Sequence, residues 1–401
     1  MSQATEYGSD ISFEAPRGFT ALTFTETGLL LAGGEDGTLR VYDLSPSAQR
    51  ALCKAINGLP DEVSSICCQP SKLPPVAAGK AWIASGKQIL LFDLTSDKLL
   101  IGSQEAEEVV TLIEGNDAED NVLNQKIGVS KDMIVYSCDS GAVGVYDIQT
   151  KKRRVMKAMH SSVSCCHQYT LLVIDCSGDG TAYPPLDMWH RYLRPYQTKR
   201  KQLFPGDTTP ISFTLIYLPA RYFPGWIYVS SATHTSSRGA PVSLAPPFLY
   251  SVTINSNGVF TAGTADGNVL VGRGGERGRG DRPNRRKWNG LSADMVSQYH
   301  IAEGPIIGVA WVGSSELMSV TLLGQVKHLR LPEPQKRSHV LSHTDIETLW
   351  ETRTTKVDKV ESLAVFETSE HVLHIAIGGL TSTGHGCIEI WKRPLKSSTE
   401  L

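Results

Sequence analysis

Apolar and polar residues alternate with a period of two along much of this chain, in short stretches bounded by Gly, Asp, Ser, Asn or Pro. Thr38-Leu39-Arg40-Val41-Tyr42-Asp43-Leu44 is a clear example. Such alternation places successive side chains on opposite faces of a strand, one buried and one solvated. Nowhere does a 3.6-residue period persist through the dozen or so residues a stable amphipathic helix needs. The pattern predicts an all-β protein.

The alternating stretches recur as a unit: small residues, an Asp/Gly turn, then an apolar run closed by an aromatic residue. Ala32 to Leu44, Ala84 to Leu94 and Ser137 to Ile148 are the clearest copies, ending in Tyr42-Asp43, Phe92-Asp93 and Tyr146-Asp147. Tyr42, Phe92 and Tyr146 are 50 and 54 residues apart, about one four-stranded sheet with its loops. Weaker copies run from Ala262 to Gly272, Thr321 to Leu331 and Ile377 to Trp391. Asp-Gly or Ser-Gly supplies the positive φ of a tight hairpin. One such sheet cannot bury both faces, so neighbouring copies must stack around an axis.

These small-residue, Asp-Gly and Tyr-Asp endings resemble the third and fourth strands of WD40 repeats. The resemblance implies a seven-bladed WD40-type β-propeller with long inter-blade loops. Its approximate blades are 18–50, 62–103, 105–155, 160–205, 244–275, 304–332 and 359–394, in a single domain spanning 1–401. Ile11 to Ala15 suits a closing strand that completes the last blade from the N-terminus. The fourth unit is expected to be irregular: Pro184-Pro185 falls where its last strand should run, and proline cannot donate to a ladder. A narrower likeness lies in the order of Leu244 to Phe248, Ala262 to Gly267, the basic stretch ending Arg286-Lys287-Trp288, and Gly386 to Lys392. That order resembles WD repeat-containing protein fifty-three and its fungal relatives.

Charge changes the picture little. Lys and Arg number 39 against 41 Asp and Glu, a net charge of −2. A dedicated nucleic-acid or membrane-surface protein would carry a strong excess. Met1 to Asp10 is polar and acidic, unlike a signal peptide, and no apolar run approaches a bilayer span. Eight cysteines, including the adjacent pairs Cys67-Cys68 and Cys165-Cys166, read as buried thiols. A cytoplasmic or nuclear setting is expected.

Catalytic and metal chemistry find no footing. The chain lacks a Gly-x-Ser-x-Gly elbow, a Walker A loop, a His-Glu-x-x-His pair and a dinucleotide fingerprint. His371 and His374 fall on opposite faces of a strand, and His160 and His167 lack zinc spacing. The expectation is no enzyme, no cofactor and no metal. The aromatic-Asp ends read as core and turn elements rather than acid catalysts.

One segment stands out as a candidate interaction loop, 273–290. Arg273, Arg277, Arg279, Arg282, Arg285, Arg286 and Lys287 place seven cations beside Trp288, with Gly, Pro and Asn preventing regular structure. It suits RNA, phosphates or an acidic protein, or is simply a solvated inter-blade loop. Lys151 to Arg154 and Lys199 to Lys201 raise the same choice. In WD40 proteins an Arg two residues after the aromatic-Asp end contributes to docking on the adaptor of a cullin-4 ubiquitin ligase. Here those positions are Ser45, Thr95 and Gln149, so the box is incomplete.

The expected function is a non-catalytic scaffold or adaptor that binds other proteins, a monomeric propeller within a complex and away from membranes. The alternatives are a substrate receptor of a cullin-4-type ligase and an RNA- or ribonucleoprotein-associated factor using the Arg/Gly loop.

Overall fold

The computed structural model describes residues 9–45, 48, 50–69, 79–113, 121–127, 133–139, 143–156, 213–220, 223–230, 249–255, 259–273, 277–278, 287–288, 296–332 and 346–395. Apart from the 3-10 turn Ser103–Glu105, every regular element among them is a strand. No helix of the described residues is long and apolar enough to cross a membrane.

Among the described residues six sheets follow one another as blades I to VI, each with antiparallel strands a to d from the axis outward, and that of blade I gains a fifth strand at its edge. Blade I holds Phe19–Phe24, Leu30–Gly34, Leu39–Tyr42 and Leu52–Asn57. Blade II holds Val63–Gln69, Lys80–Ser85, Gln88–Asp93 and Glu108–Thr111. Blade III holds Val122–Ile127, Met133–Cys138, Val143–Asp147 and Arg153–Met156. Blade IV holds Leu249–Ile254, Val259–Thr264, Asn268–Arg273 and Val296–His300. Blade V holds Ile306–Val312, Glu316–Thr321, Gln325–Arg330 and Glu347–Arg353. Blade VI takes Lys359–Glu367, Val372–Leu380 and Gly386–Pro394 from the C-terminal part and Ile11–Ala15 as strand d. That last strand pairs Ile11 with Ile390 and Ala15 with Gly386, as a closing strand should.

Among the described residues the expected count of seven is corrected to six. The fourth expected unit, 160–205, lies outside the described residues. Between blades III and IV the described chain contributes only a hairpin, Phe213–Ala220 with Phe223–Ser230, whose ladder pairs Pro219 with Pro224. Proline offers no donor to a further strand there.

Stacking of neighbouring blades makes the core. Leu31, Leu39, Val41 and Ile56 of blade I pack with Val63, Ile83, Leu90 and Phe92 of blade II. Comparable clusters join II to III around Trp82, Tyr136 and Tyr146, and V to VI around Met318, Ile375 and Trp391. Others join VI to I around Phe19, Tyr42 and Ile390, and IV to V around Val269, Ile306 and Leu317. Each fully buried large aliphatic side chain contributes roughly 2 kcal/mol by leaving water.

All six a strands share one irregularity. The second residue of five of them, and the third of blade VI's, is bulged out of the ladder: Thr20, Ser64, Leu123, Tyr250, Ile307 and Glu361. A bulge bends the strand and re-aims a side chain. Here it does so at the same end of every blade.

Candidate interaction site at the channel mouth

In a four-stranded blade the b–c turns and the links from strand d to the next strand a emerge at one face, and the c–d connections at the opposite face. The bulged residues belong to the first face, and two of them latch neighbouring blades together. Thr20 Oγ1 donates to the Val63 carbonyl at 2.7 Å, and Ser64 Oγ donates to the Val122 carbonyl. A deeper latch forms where the buried Gln125 Nε2 donates to the carbonyls of Ser65 (3.2 Å) and Trp82 (2.8 Å).

Around this mouth lies a cavity of about 470 Å³ lined by Arg17, Glu35, Asp36, Gly37, Leu59, Pro60, Asp61 and Glu62. The b–c turn of blade I brings Glu35 and Asp36. Gly37 closes that turn at φ +63°, and a Cβ there would lie 3.0 Å from the Leu59 and Asp61 carbonyls. The link from blade I to blade II brings Asp61 and Glu62. Ser85 fixes that link by accepting from Asp61 N at 2.9 Å and donating back to the Asp61 carbonyl at 2.6 Å.

Asp36 is already spent, because its carboxylate accepts from Arg40 at 2.8 Å and from Thr38. Burial works to raise its pKa, but the hydrogen bonds and the Arg40 charge prevail and hold it below the ordinary value. Glu62 is the opposite case. Lost hydration in the concave wall raises its carboxyl, and the nearby charges of Asp61, Glu35, Glu361 and Asp139 raise it further. Those neighbours come from three blades and one link: the b–c turn of I, the I–II link, the bulge of VI and the b–c turn of III. Glu361 gives one oxygen to Lys359 at 2.8 Å, while its other oxygen is buried without a hydrogen bond. The mouth thus gathers carboxylates faster than cations, which suits a guanidinium or ammonium group on a partner.

The sequence-derived candidates lie elsewhere. Arg273 ends strand c of blade IV, opposite Val259. Arg277 and Lys287-Trp288 belong to a two-residue ladder, Arg277 with Trp288 and Gly278 with Lys287. Arg279, Arg282, Arg285 and Arg286 lie outside the described residues, as do Lys199 to Lys201, His160, His167 and Cys165-Cys166. The loop leaves blade IV between strands c and d, the face opposite the acidic mouth. Part of the Lys151 to Arg154 cluster serves the fold: Lys151 pairs with Glu108 at 2.5 Å, and Arg153 Nη1 donates to the Thr111 and Leu112 carbonyls at 2.9 and 2.8 Å.

The aromatic-Asp ends are turn-makers beside the core. Tyr42, Phe92 and Tyr146 are buried. Asp43, Asp93 and Asp147 each accept from the backbone N–H two residues on, at 2.9, 2.8 and 3.0 Å. Hydrogen bonding from Thr95 leads the forces holding Asp93 below the carboxylate range. Cys67 and Cys68 form no disulfide, and burial pushes Cys68 up to about 12. His371 is exposed with Nδ1 2.9 Å from Glu367, whereas burial and Lys392 lower His374. Among the described residues, no group of three His, Cys, Asp or Glu could hold a metal ion.

Sequence reasoning missed the acidic mouth because its carboxylates are scattered between positions 35 and 361, as the pairs Glu35-Asp36 and Asp61-Glu62 and the single Asp139 and Glu361. The available signal was their recurrence in turns that topology sends to one face.

No family model matches the chain, and no curated protein does. Among solved structures, the chain is similar to the β-propeller domain of Cps50 (Swd1) from Myceliophteria thermophila. The two are 12% identical at a TM-score of 0.42, with 96% of this chain and 98% of the other covered.

Proposed function

We propose that this protein is a non-catalytic interaction scaffold that docks a cationic segment of a partner protein at the channel mouth. The supporting observation is the convergence of Glu35, Asp61, Glu62, Asp139 and Glu361 from several blades around one concavity, with Glu62 pushed up by loss of hydration and by its neighbours. Rigid blades carry the loops, and the loops carry the recognition. Kinship with WD40 proteins, and with WD repeat-containing protein fifty-three among them, belongs to the same proposal.

Affinity purification of the tagged protein at low and high salt tests it, with mass spectrometry as the readout. Partners should be lost when Asp61 and Glu62 become Asn and Gln, and kept when Arg277 and Arg279 become Ala. The reverse result would transfer the function to the Arg/Gly loop and favour RNA, with nuclease-sensitive capture. Retention of a cullin-4 adaptor by both variants would favour the ligase reading.

A further inference from the structure

The connection between strands c and d of blade II does not stay on its own blade. Residues 94–107 cross to blade I, where Leu100–Gly102 forms a fifth strand parallel to strand d. The register sets Ala55 opposite Leu100, Ile56 opposite Ile101 and Asn57 opposite Gly102. The strap then returns through the turn Ser103–Glu105, and Glu107 N donates to the Leu91 carbonyl at 2.8 Å.

The strap is thinly held. Ala55 N donates to the Leu99 carbonyl at 2.8 Å. Between the buried Leu94 at the strap's start and the half-buried Ala106 at its end, Ile101, only 4% exposed, is the buried anchor of its paired strand in the core between blades I and II. Leu99 and Leu100 stand 67% and 60% exposed on its outer side. Beneath it Lys54 is 8% exposed, and its ammonium donates to the Ser96 carbonyl of the strap. Among the described residues no carboxylate lies within ion-pair distance of Lys54. Asp93 acts on it only at longer range, its Oδ1 being taken by Thr95. A buried ammonium satisfied by a carbonyl is poorly compensated, and a carboxylate would serve it better.

We propose that the outer edge of blade I is a strand-addition site, held in cis by the strap and taken over by an extended segment of another protein. That segment carries an aliphatic residue for the Ile101 pocket and, a few residues before it, a carboxylate for Lys54. Backbone pairing supplies its affinity and the two side chains its specificity. The edge is separate from the acidic mouth, so the two readings stand or fall independently.

The probes are two fluorescent peptides, one with the chain's own sequence Leu94 to Gln104 and one carrying Ser96→Asp in it. Binding to the full-length protein is read by anisotropy. Ile101→Ala loosens the strap, raises the population with an open edge and should tighten binding about tenfold. The Ser96→Asp peptide should bind more tightly than the parent, and Lys54→Met should erase that advantage. Equal affinity of wild type and Ile101→Ala, or no gain from the added carboxylate, overturns the proposal. Hydrogen exchange on the wild type needs no folded variant. Amides of residues 99–102 should open well before those of Leu39–Tyr42, and exchange only with blade I as a whole would refute displacement.

Discussion

Glu389 is the most constrained charged side chain among the described residues. It is fully buried in strand c of blade VI, and its carboxylate accepts from the backbone N–H of Thr355, Lys356 and Val357 at 2.7 to 3.1 Å and from Thr355 Oγ1 at 2.9 Å. It ties the link between blades V and VI to the sheet. Glu389→Ala leaves those donors unsatisfied and should cost about 3 kcal/mol in chemical denaturation, with Glu389→Gln costing less. Strict alternation through Cys387-Ile388-Glu389-Ile390 reads Glu389 as solvent-facing. It is buried because strand c has neighbours on both edges and blades on both faces, a fact of the assembled molecule that local period cannot encode. Asp43, Asp93 and Asp147 were legible by contrast, since their partners lie two residues away.

Glu62 makes a pH-dependent prediction at the same scale. Its raised folded-state pKa means the folded protein favours the protonated form. That contribution is fully present below the unfolded value and is lost as pH rises through the folded one. At neutral pH the charge is therefore a liability, and Glu62→Gln should melt at a higher temperature than wild type. The two melting curves should converge as the pH falls below about 4, where both carry a neutral side chain.

Among elements, the closing strand shows what patterning can and cannot reveal. Ile11–Ala15 was legible because a lone strand before the first repeat has few other places to pair. Its Phe13 stacks on Tyr42 of blade I with ring centroids 4.3 Å apart, so it binds two blades at once. Phe13→Ala should lower the melting temperature and speed amide exchange in Gly386–Pro394 ahead of the other blades. Unchanged exchange there would show the clasp to be dispensable. Gly386 sits at the tightest point of this closure, where a Cβ would lie 1.9 Å from the Arg17 carbonyl. Gly386→Ala should destabilise by about 2 kcal/mol, read from the denaturation midpoint. The outermost strands were harder to read. Glu108–Thr111 and Leu52–Asn57 face water along much of their length, and a half-exposed edge shows little hydrophobic contrast. The count of blades differs where the described chain between blades III and IV offers only a hairpin, whose paired Pro219 and Pro224 give no donors for a further strand.

For the whole molecule, carboxylates converge on one face although the net charge is nearly nil. Glu35, Asp61, Glu62, Asp139 and Glu361 meet where b–c turns and inter-blade links emerge. Composition could not show this, because the convergence follows from the direction in which each strand runs. If a cationic segment docks at the mouth, binding should weaken as salt screens the attraction, mostly through a slower association rate. Kinetics measured by surface plasmon resonance at low and high salt check this, and a salt-independent association rate would remove the electrostatic reading.

Blade VI also sets a schedule for biosynthesis. Its strand d is made before every other described strand, and the strand it pairs with, Gly386–Pro394, after all of them. Until that moment Phe13 and its neighbours have no sheet to join, and the side of blade I meant for blade VI is bare. Contacts so distant along the chain form slowly and leave sticky surface waiting. A nascent chain of this protein is therefore a natural client for a chaperone that shields hydrophobic edges until blade VI closes.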